Sequence, residues 1–255
     1  MVSPNLNYTM NDIAIVLEKV NVRYGNNLAL KDASIKIPYH SFTGVIGMNG
    51  AGKSTLFKAI MGLVTPESGS VKICGDDTHT AQKHGHVAYV PQSELVDWDF
   101  PVSVYEVVMM GRIGTQNIFK TASVADHTAV KEALERVNMT SFKDRQIGEL
   151  SGGQKKRVFV ARALAQGADI LLLDEPFAGL DATTEKSLIQ LFITLKESGK
   201  TIILATHDLL SLPDTCDHVA LVKSTVIGFG PTKEVFTREL VEKTFDGSLN
   251  HINFN

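Results

Sequence analysis

Apolar and polar positions change their period along the chain, and the changes mark out its elements. Residues 13–20 and 28–37 are strand-type runs, and in the second Ala33, Ile35 and Ile37 alternate with polar residues. The turn Tyr24-Gly25-Asn26-Asn27 joins them. A short apolar strand follows at 42–46 (FTGVI), and Leu56, Phe57 and Ile60 then fall at helical spacing. Residues 65–69 form a turn, 70–74 a short strand with Val71 and Ile73 on one face, and 87–90 an apolar run ended by Pro91. From 102 to about 165 the period is helical: Val104, Val107, Val108 and Gly111 recur at i, i+3, i+4 and i+7, and so do Val130, Ala133, Leu134 and Val137. Strand-type runs return at 170–173, 201–205 and 219–222. Between the first two, Leu188, Leu191, Phe192 and Leu195 mark an amphipathic helix closed by Gly199. The tail after Pro231 reads as short and helical.

This pattern predicts an α/β fold: a βα-alternating core, an antiparallel β element from the early strands, and a helical insertion at about 95–165. Residues 1–12 are polar and expected to be flexible, and 13–255 are expected to form one domain with lobes. With 255 residues and 44% hydrophobic side chains, the chain has material for a real core. A net charge of −3, without a basic block, argues against a nucleic-acid surface. Cys74 and Cys216 lie far apart, so a reduced protein without a disulfide framework is expected. No apolar run reaches the ~18 residues of a membrane-spanning helix. The first residues lack the charged and apolar regions of a secretion signal, and Met10 is as acceptable a start as Met1.

The stretch 47–55, GMNGAGKST, carries the clearest chemistry. Gly47, Gly52, Lys53 and Ser54 satisfy the spacing G-x-x-x-x-G-K-[ST], between a strand and a helix as that motif requires. Glycines let successive backbone N–H groups approach a phosphate, and the helix start adds a positive dipole end. Lys53 is expected to reach the outer phosphates and the Ser54 hydroxyl to ligate Mg²⁺.

A second site element is the apolar strand at 170–173, which ends in Asp174 and Glu175. A strand buried on both faces reads as a continuous apolar run, and acids at its tip lie where ligands bind in such sheets. Asp174 is the expected Mg²⁺ acid and Glu175 the expected general base for an attacking water. His207, after the next strand, reads either as a structural histidine or, by adjacency of parallel strands, as a group beside the terminal phosphate.

Leu150-Ser151-Gly152-Gly153-Gln154 then gives these parts a common context. LSGGQ is the signature of the ATP-binding-cassette ATPases, and the chain resembles that family over nearly its whole length. The resemblance implies a P-loop NTPase (RecA-like) core with an N-terminal antiparallel β subdomain and an inserted helical subdomain. It implies that Tyr24 stacks on adenine, and that Gly47, Asn49, Gly50, Ala51, Gly52, Lys53, Ser54 and Thr55 hold the phosphates. Gln92 corresponds to the Q-loop glutamine, which joins Ser54 and Asp174 around Mg²⁺. Ser151, Gly153 and Gln154 belong to the signature, Asp181 (in AGLD) to the loop that faces the dimer, and Glu175, His207 and Lys53 to the catalytic set. Ser151 also reads as a helix N-cap in its own right, a start that offers N–H groups to an anion. In the family that anion is the γ-phosphate of ATP on the opposite subunit, so a head-to-tail homodimer is implied.

The same resemblance implies separate integral-membrane permease subunits, docking near 92–104, with Trp98 and Phe100 as anchors. It places the chain peripherally at the cytoplasmic face of the inner or plasma membrane. The wording VDWDFPVSV is similar to the ATPases of manganese, zinc and iron importers, which work with an extracytoplasmic metal-binding protein. Other cargo (siderophore, cobalamin or an exported compound) and a soluble role in DNA repair or translation are the alternatives. The absence of a coiled-coil insertion and of a second phosphate loop argues against the soluble role. His79, His84 and His86 are expected to be solvated, and Lys155 and Lys156 to affect local solvation rather than chemistry.

Overall fold

The parallel strands show why their sequences are apolar without alternation. In the computed structural model, which describes residues 12–92, 100–116, 121–209 and 215–247, ten strands and eight α-helices are seen among the described residues. Strands β1 (Ile13–Tyr24), β2 (Asn27–Pro38), β4 (Ser68–Ile73) and β5 (Asp76–Asp77) form an antiparallel sheet in the order β2-β1-β4-β5. Strands β3 (Phe42–Ile46), β6 (Val87–Val90), β7 (Ile170–Asp174), β8 (Thr201–Thr206), β9 (His218–Val222) and β10 (Val226–Pro231) form a second sheet in the order β10-β9-β3-β8-β7-β6. All its pairs are parallel except β9 with β10.

The second sheet is buried on both faces, and its side chains divide by parity. Leu171 and Leu173 of β7, Ile202 and Leu204 of β8, and Val219 and Leu221 of β9 join one apolar cluster. Ile170 and Leu172, Ile203 and Ala205, and Ala220 and Val222 join the other. The first cluster holds the helical lobe, and the second holds β1, β2 and the helix α1 (Lys53–Ile60). Each fully buried Leu or Ile contributes about 1.5–3 kcal/mol, so a one-residue slip in this register would move every such side chain to the wrong layer.

The helical lobe contains α3 (Val104–Met109), α4 (Val124–Arg136) and α5 (Gly152–Gln166), with short 3₁₀ turns at Met110–Arg112, Thr140–Phe142 and Ile147–Glu149. The apolar positions read from the sequence do face its core: Val104, Val107, Val108, Val130, Ala133, Leu134 and Val137 are buried. Gly111 is the exception to the helical reading, since it lies in a 3₁₀ turn. The helix α6 (Ala182–Glu197) buries Leu188, Leu191, Phe192 and Leu195 as its spacing predicts. Helices α7 (Thr232–Val235) and α8 (Arg238–Phe245) make up the tail.

Three elements differ from expectation. Strand β10 was not anticipated, because Val226-Ile227-Gly228-Phe229-Gly230 places a glycine at every second residue. Strand β4 begins at Ser68 rather than Ser70 and takes in part of the expected turn, because Ser68 already pairs with Asn21 of β1. The helix α2 (Thr78–Lys83) was also not anticipated; Asp77 caps it by accepting from the Thr80 N–H at 2.9 Å. The expected flexible segment falls on residues 1–11, outside the described residues, apart from Asp12.

A polar cluster holds the helical lobe together. Asp126 accepts from the Ser123 N–H (2.8 Å), Arg112 Nε (2.8 Å), the Ser123 hydroxyl (2.8 Å) and the Thr115 hydroxyl (3.2 Å). Arg112 Nη1 also donates to the Ala165 carbonyl at 2.8 Å, tying α4 to α5. These donors, the Ser123 N–H first and Arg112 next, hold the Asp126 carboxyl well below the usual carboxylate range. With the folded pKa depressed, this stabilisation is complete above the unfolded value of about 4 and is lost as pH falls through the folded value. Asp126→Asn should therefore melt at a lower temperature than the parent at pH 7, and the gap should narrow on acidification toward about pH 3. Thermal melts across that range test it; a gap independent of pH would count against a role for the charge.

Candidate functional site

Four parallel strands end at one edge of the buried sheet, and the chain just beyond each end carries the site. Beyond β3 the loop from Gly47 leads into α1. Its N-cap Gly52 sits at φ +100°, and a Cβ there would lie 2.8 Å from the Ala29 carbonyl oxygen, so only glycine fits. Lys53 is buried, and its Nζ donates to the carbonyls of Gly47 (2.7 Å) and Met48 (3.2 Å). Burial pulls the ammonium below its ordinary range, while Glu175 and Asp174 oppose that.

Beyond β7 the two acids have different settings. Asp174 is buried and accepts from the Tyr89 hydroxyl at 3.0 Å. Burial raises its pKa, with a smaller push from Glu175, while the hydrogen bonds from Tyr89 and Ser54 and the charge of Lys53 oppose the rise. The Tyr89 phenol is itself pushed up, first by burial and then by Asp174.

Glu175 occupies the left-handed region at φ +47°, a conformation costing about 1–3 kcal/mol that neighbours must over-determine. Three hydrogen bonds do so: its N–H donates to the Ala205 carbonyl (2.9 Å), and its carbonyl accepts from the Ala178 N–H (3.2 Å) and from Lys156 Nζ (3.0 Å). The effect is to turn the carboxylate toward the loop. Its Oε1 lies 3.0 Å from His207 Nδ1 and 3.8 Å from Lys53 Nζ. The His207 ring is more than half exposed, whereas the Glu175 side chain is 11% exposed, so the pair spans the boundary between core and solvent.

These groups share a cleft of about 470 Å³. It is lined by Tyr24 from β1, by Asn49, Gly50, Gly52, Lys53, Ser54 and Thr55 from the loop and α1, by Gln92 beyond β6, and by Asp174, Glu175 and His207. Gly47 and Ala51 belong to the same loop but do not line the cleft. Nor do Ser151, Gly153, Gln154 or Asp181, which the fold keeps apart from it.

The residues outside the cleft form a second, well-built unit. Ser151 caps α5: its hydroxyl accepts from the Gln154 N–H (3.3 Å), and the Gln154 side chain accepts from the Ser151 N–H (2.9 Å). Asp181 caps α6, accepting from the N–H groups of Thr183 (3.1 Å) and Thr184 (3.0 Å) and from the Thr184 hydroxyl (2.6 Å). A Cβ on Gly153 would lie 2.3 Å from Thr184 Cγ2, so that glycine is what lets the starts of α5 and α6 pack together.

The chemistry available is that of a phosphate chain held by N–H groups and an ammonium. The oxygen donors fit a hard divalent cation: the Ser54 hydroxyl and the Asp174 carboxylate line the same cleft at the loop's end. Two contributors escaped the sequence reading. Tyr89 sits in an apolar run, and its contact with Asp174 arises only from the neighbouring strand β7. Lys156 corrects an expectation: it is buried and bonds the Glu175 carbonyl rather than solvating the surface. The expected docking residues 95–99, with Trp98, lie outside the described residues, while Phe100 is 58% exposed.

Residues 30–178 match the family model described as ABC transporter. The manganese transport system ATP-binding protein MntA of Synechocystis sp. is 50% identical over 249 residues, which is 96% of each chain. The chelated iron transport system membrane protein YfeB of Yersinia pestis is 49% identical over 242 residues, 94% of this chain and 82% of that one. A solved component of an ABC transporter complex from Clostridium perfringens is similar with a TM-score of 0.77 at 32% identity, covering 91% of this chain and 94% of that one. No helix among the described residues is long and apolar enough to cross a membrane.

The Tyr89 contact can be tested directly. Tyr89→Phe keeps the ring, which packs edge-on against Phe57, and deletes one donor to Asp174. The Asp174 carboxyl should then titrate at higher pH than in the parent, as followed by carbon NMR of labelled aspartate. An unchanged titration would mean that the hydroxyl does not stabilise the carboxylate.

Proposed function

The chain belongs to the ABC transporter family, and from that premise we propose that it is the ATP-hydrolysing subunit of a transition-metal importer. Manganese is the first cargo to test, with zinc or iron next; manganese and chelated iron are the cargoes in the names of the relatives given above. The membrane path belongs to separate permease subunits, with an extracytoplasmic metal-binding protein delivering the ion. The segment 92–104 is the proposed dock for the permease, and the chain works peripherally at the cytoplasmic face.

The observation that carries the catalytic reading is the cluster in the cleft, where Glu175 Oε1 meets both His207 and Lys53. ATP lies with its adenine against Tyr24 and its phosphates over the N–H groups from Asn49 to Thr55. Lys53 leaves its carbonyl partners to pair with the outer phosphates. Ser54, Asp174 and Gln92 would hold a Mg²⁺ ion, which would supply neutralisation of charge on the phosphates. Glu175 takes the proton of a water whose oxygen bonds to the γ-phosphorus as the bond to the ADP oxygen breaks. His207, hydrogen-bonded to the Glu175 carboxylate, positions the water and the γ-phosphate.

The cleft of one copy lacks Ser151, Gly153 and Gln154. In a head-to-tail homodimer the start of α5 from the second copy supplies them to the γ-phosphate, adding N–H groups and a positive dipole end. ATP thus holds the dimer closed, and hydrolysis releases it. That motion drives the permease.

Three outcomes follow. Glu175→Gln should lower ATP turnover by about 10²–10⁴ and, with ATP, run as a dimer in light-scattering chromatography; near-normal turnover would remove Glu175 from its role. Ser151→Phe should still bind ATP but neither dimerise nor hydrolyse it at the parental rate. Cells lacking the chain should lose manganese uptake and regain it with the parent but not with Lys53→Ala; uptake of manganese, iron and zinc unchanged by the deletion would overturn the cargo assignment.

A further inference from the structure

Away from the cleft, three ligand-type side chains converge from separate pieces of backbone. Asp76 sits in β5, paired with Ile73 of β4. His84 is the C-cap of α2, and its N–H donates to the Thr80 carbonyl at 3.0 Å. His86 immediately precedes β6. Its N–H donates to the Ala81 carbonyl (3.1 Å), and its carbonyl accepts from the N–H groups of Asp169 (3.2 Å) and Ile170 (3.0 Å). Each of the three is thus held by backbone that is itself hydrogen-bonded.

The side-chain geometry is that of a ligand set. His84 Nδ1 lies 3.1 Å, and His86 Nε2 3.8 Å, from the same oxygen, Asp76 Oδ2. One ligand atom from each residue falls within 4.8 Å of the other two. The two imidazoles meet edge to face with centroids 5.4 Å apart, which leaves their nitrogens free to share a centre. Ligands about 2.0–2.1 Å from a tetrahedral ion lie about 3.3–3.4 Å from one another, between the two shorter distances here. Among the described residues, no other three such side chains converge in this way. Of the three histidines expected to be solvated, His79 and His84 are exposed and His86 is half-buried, and only His84 and His86 belong to this set.

We propose that Asp76, His84 and His86 bind a divalent first-row transition-metal ion, with water completing its coordination. Two imidazoles and one carboxylate are the donor set of borderline ions, and a partly exposed position leaves room for solvent ligands. The bound ion joins β5 of the antiparallel sheet to the start of β6 in the parallel sheet. It sits at the opposite end of β6 from Gln92. The proposal stands apart from the transport reading: it concerns the isolated chain, whatever cargo the permease carries.

The test is a Co(II) titration of the purified, nucleotide-free full chain, followed by visible absorption and then by Zn(II) competition. The expected result is one equivalent of Co(II) with ligand-field bands, displaced by excess Zn(II). His84→Ala/His86→Ala should lose that equivalent, and Asp76→Asn, which keeps both imidazoles, should bind at least tenfold more weakly. His79→Ala and Asp174→Asn should retain it. Zn(II) should also raise the melting temperature of the parent but not of the double variant. Equal titrations of parent and double variant, or loss of the ion in Asp174→Asn with retention in the double variant, would overturn the assignment. Should the double variant fail to fold by circular dichroism, Asp76→Asn decides the question alone.

Discussion

The parallel pairing of β3 with β8 and of β8 with β7 is the constraint on which the site depends. Parallel strands align all their carboxyl ends, so the loop after β3, the acids after β7 and His207 after β8 must emerge together. No single contact in the cleft creates that convergence. It follows from apolar burial on both faces of the sheet, where Leu171 and Leu173 serve one layer and Ile170 and Leu172 the other. A sheet so enclosed has one workable register, and the register sets where Glu175 meets His207.

Within that frame the cleft holds its charges in a balance tuned for an anion that is yet to arrive. Lys53 is buried with two carbonyls and only a distant carboxylate, at 3.8 Å from Glu175. Burial disfavours its charge, and burial likewise disfavours the charge of Asp174. Lys53 is partly compensated by Glu175 and Asp174, and Asp174 by Tyr89, Ser54 and Lys53. A buried cation with incomplete compensation gains most when phosphate oxygens come within reach, because charge-assisted hydrogen bonds are strongest where water is excluded. The same carbonyls that hold Lys53 meanwhile keep it from collapsing fully onto Glu175.

How much of this could be read beforehand depended on how local each feature is. The phosphate loop is a contiguous sequence with a contiguous structure, so Gly52, Lys53 and Ser54 were legible, as were Asp174 and Glu175 at the tip of a fully apolar strand. The capping role of Ser151 was legible too, because a cap involves residues only three apart. Features made by pairing were not. Tyr89 acquires its meaning from β7, 85 residues from its partner Asp174. Strand β10 hid behind its glycines. Lys156 reads as one of two exposed lysines until the rotation of α5 sets it under Glu175, and Asp76, His84 and His86 assemble only when β5, α2 and β6 are folded. Periodicity predicts which face is buried, but not which polar group the fold will bring against it.

The helix α5 shows how the two halves of the site are joined. At its start Ser151 and Gln154 form the capped end that lies outside the cleft. One turn later Lys156 bonds the carbonyl of Glu175, the residue whose strained backbone aims the carboxylate. Nearly three turns further on, Gln166 donates to the Val87 carbonyl at 3.0 Å, at the start of the strand that leads to Gln92. Arg112 binds the Ala165 carbonyl and so fastens the rest of the helical lobe to the same rod. An α-helix this short does not bend appreciably without a proline or an inserted group, and α5 contains no proline. Its side chains at Lys156 and Gln166 contact the backbone at Glu175 and at β6. One helix thus joins the capped start at Ser151 to the backbone of Glu175, although that start does not line the same cavity.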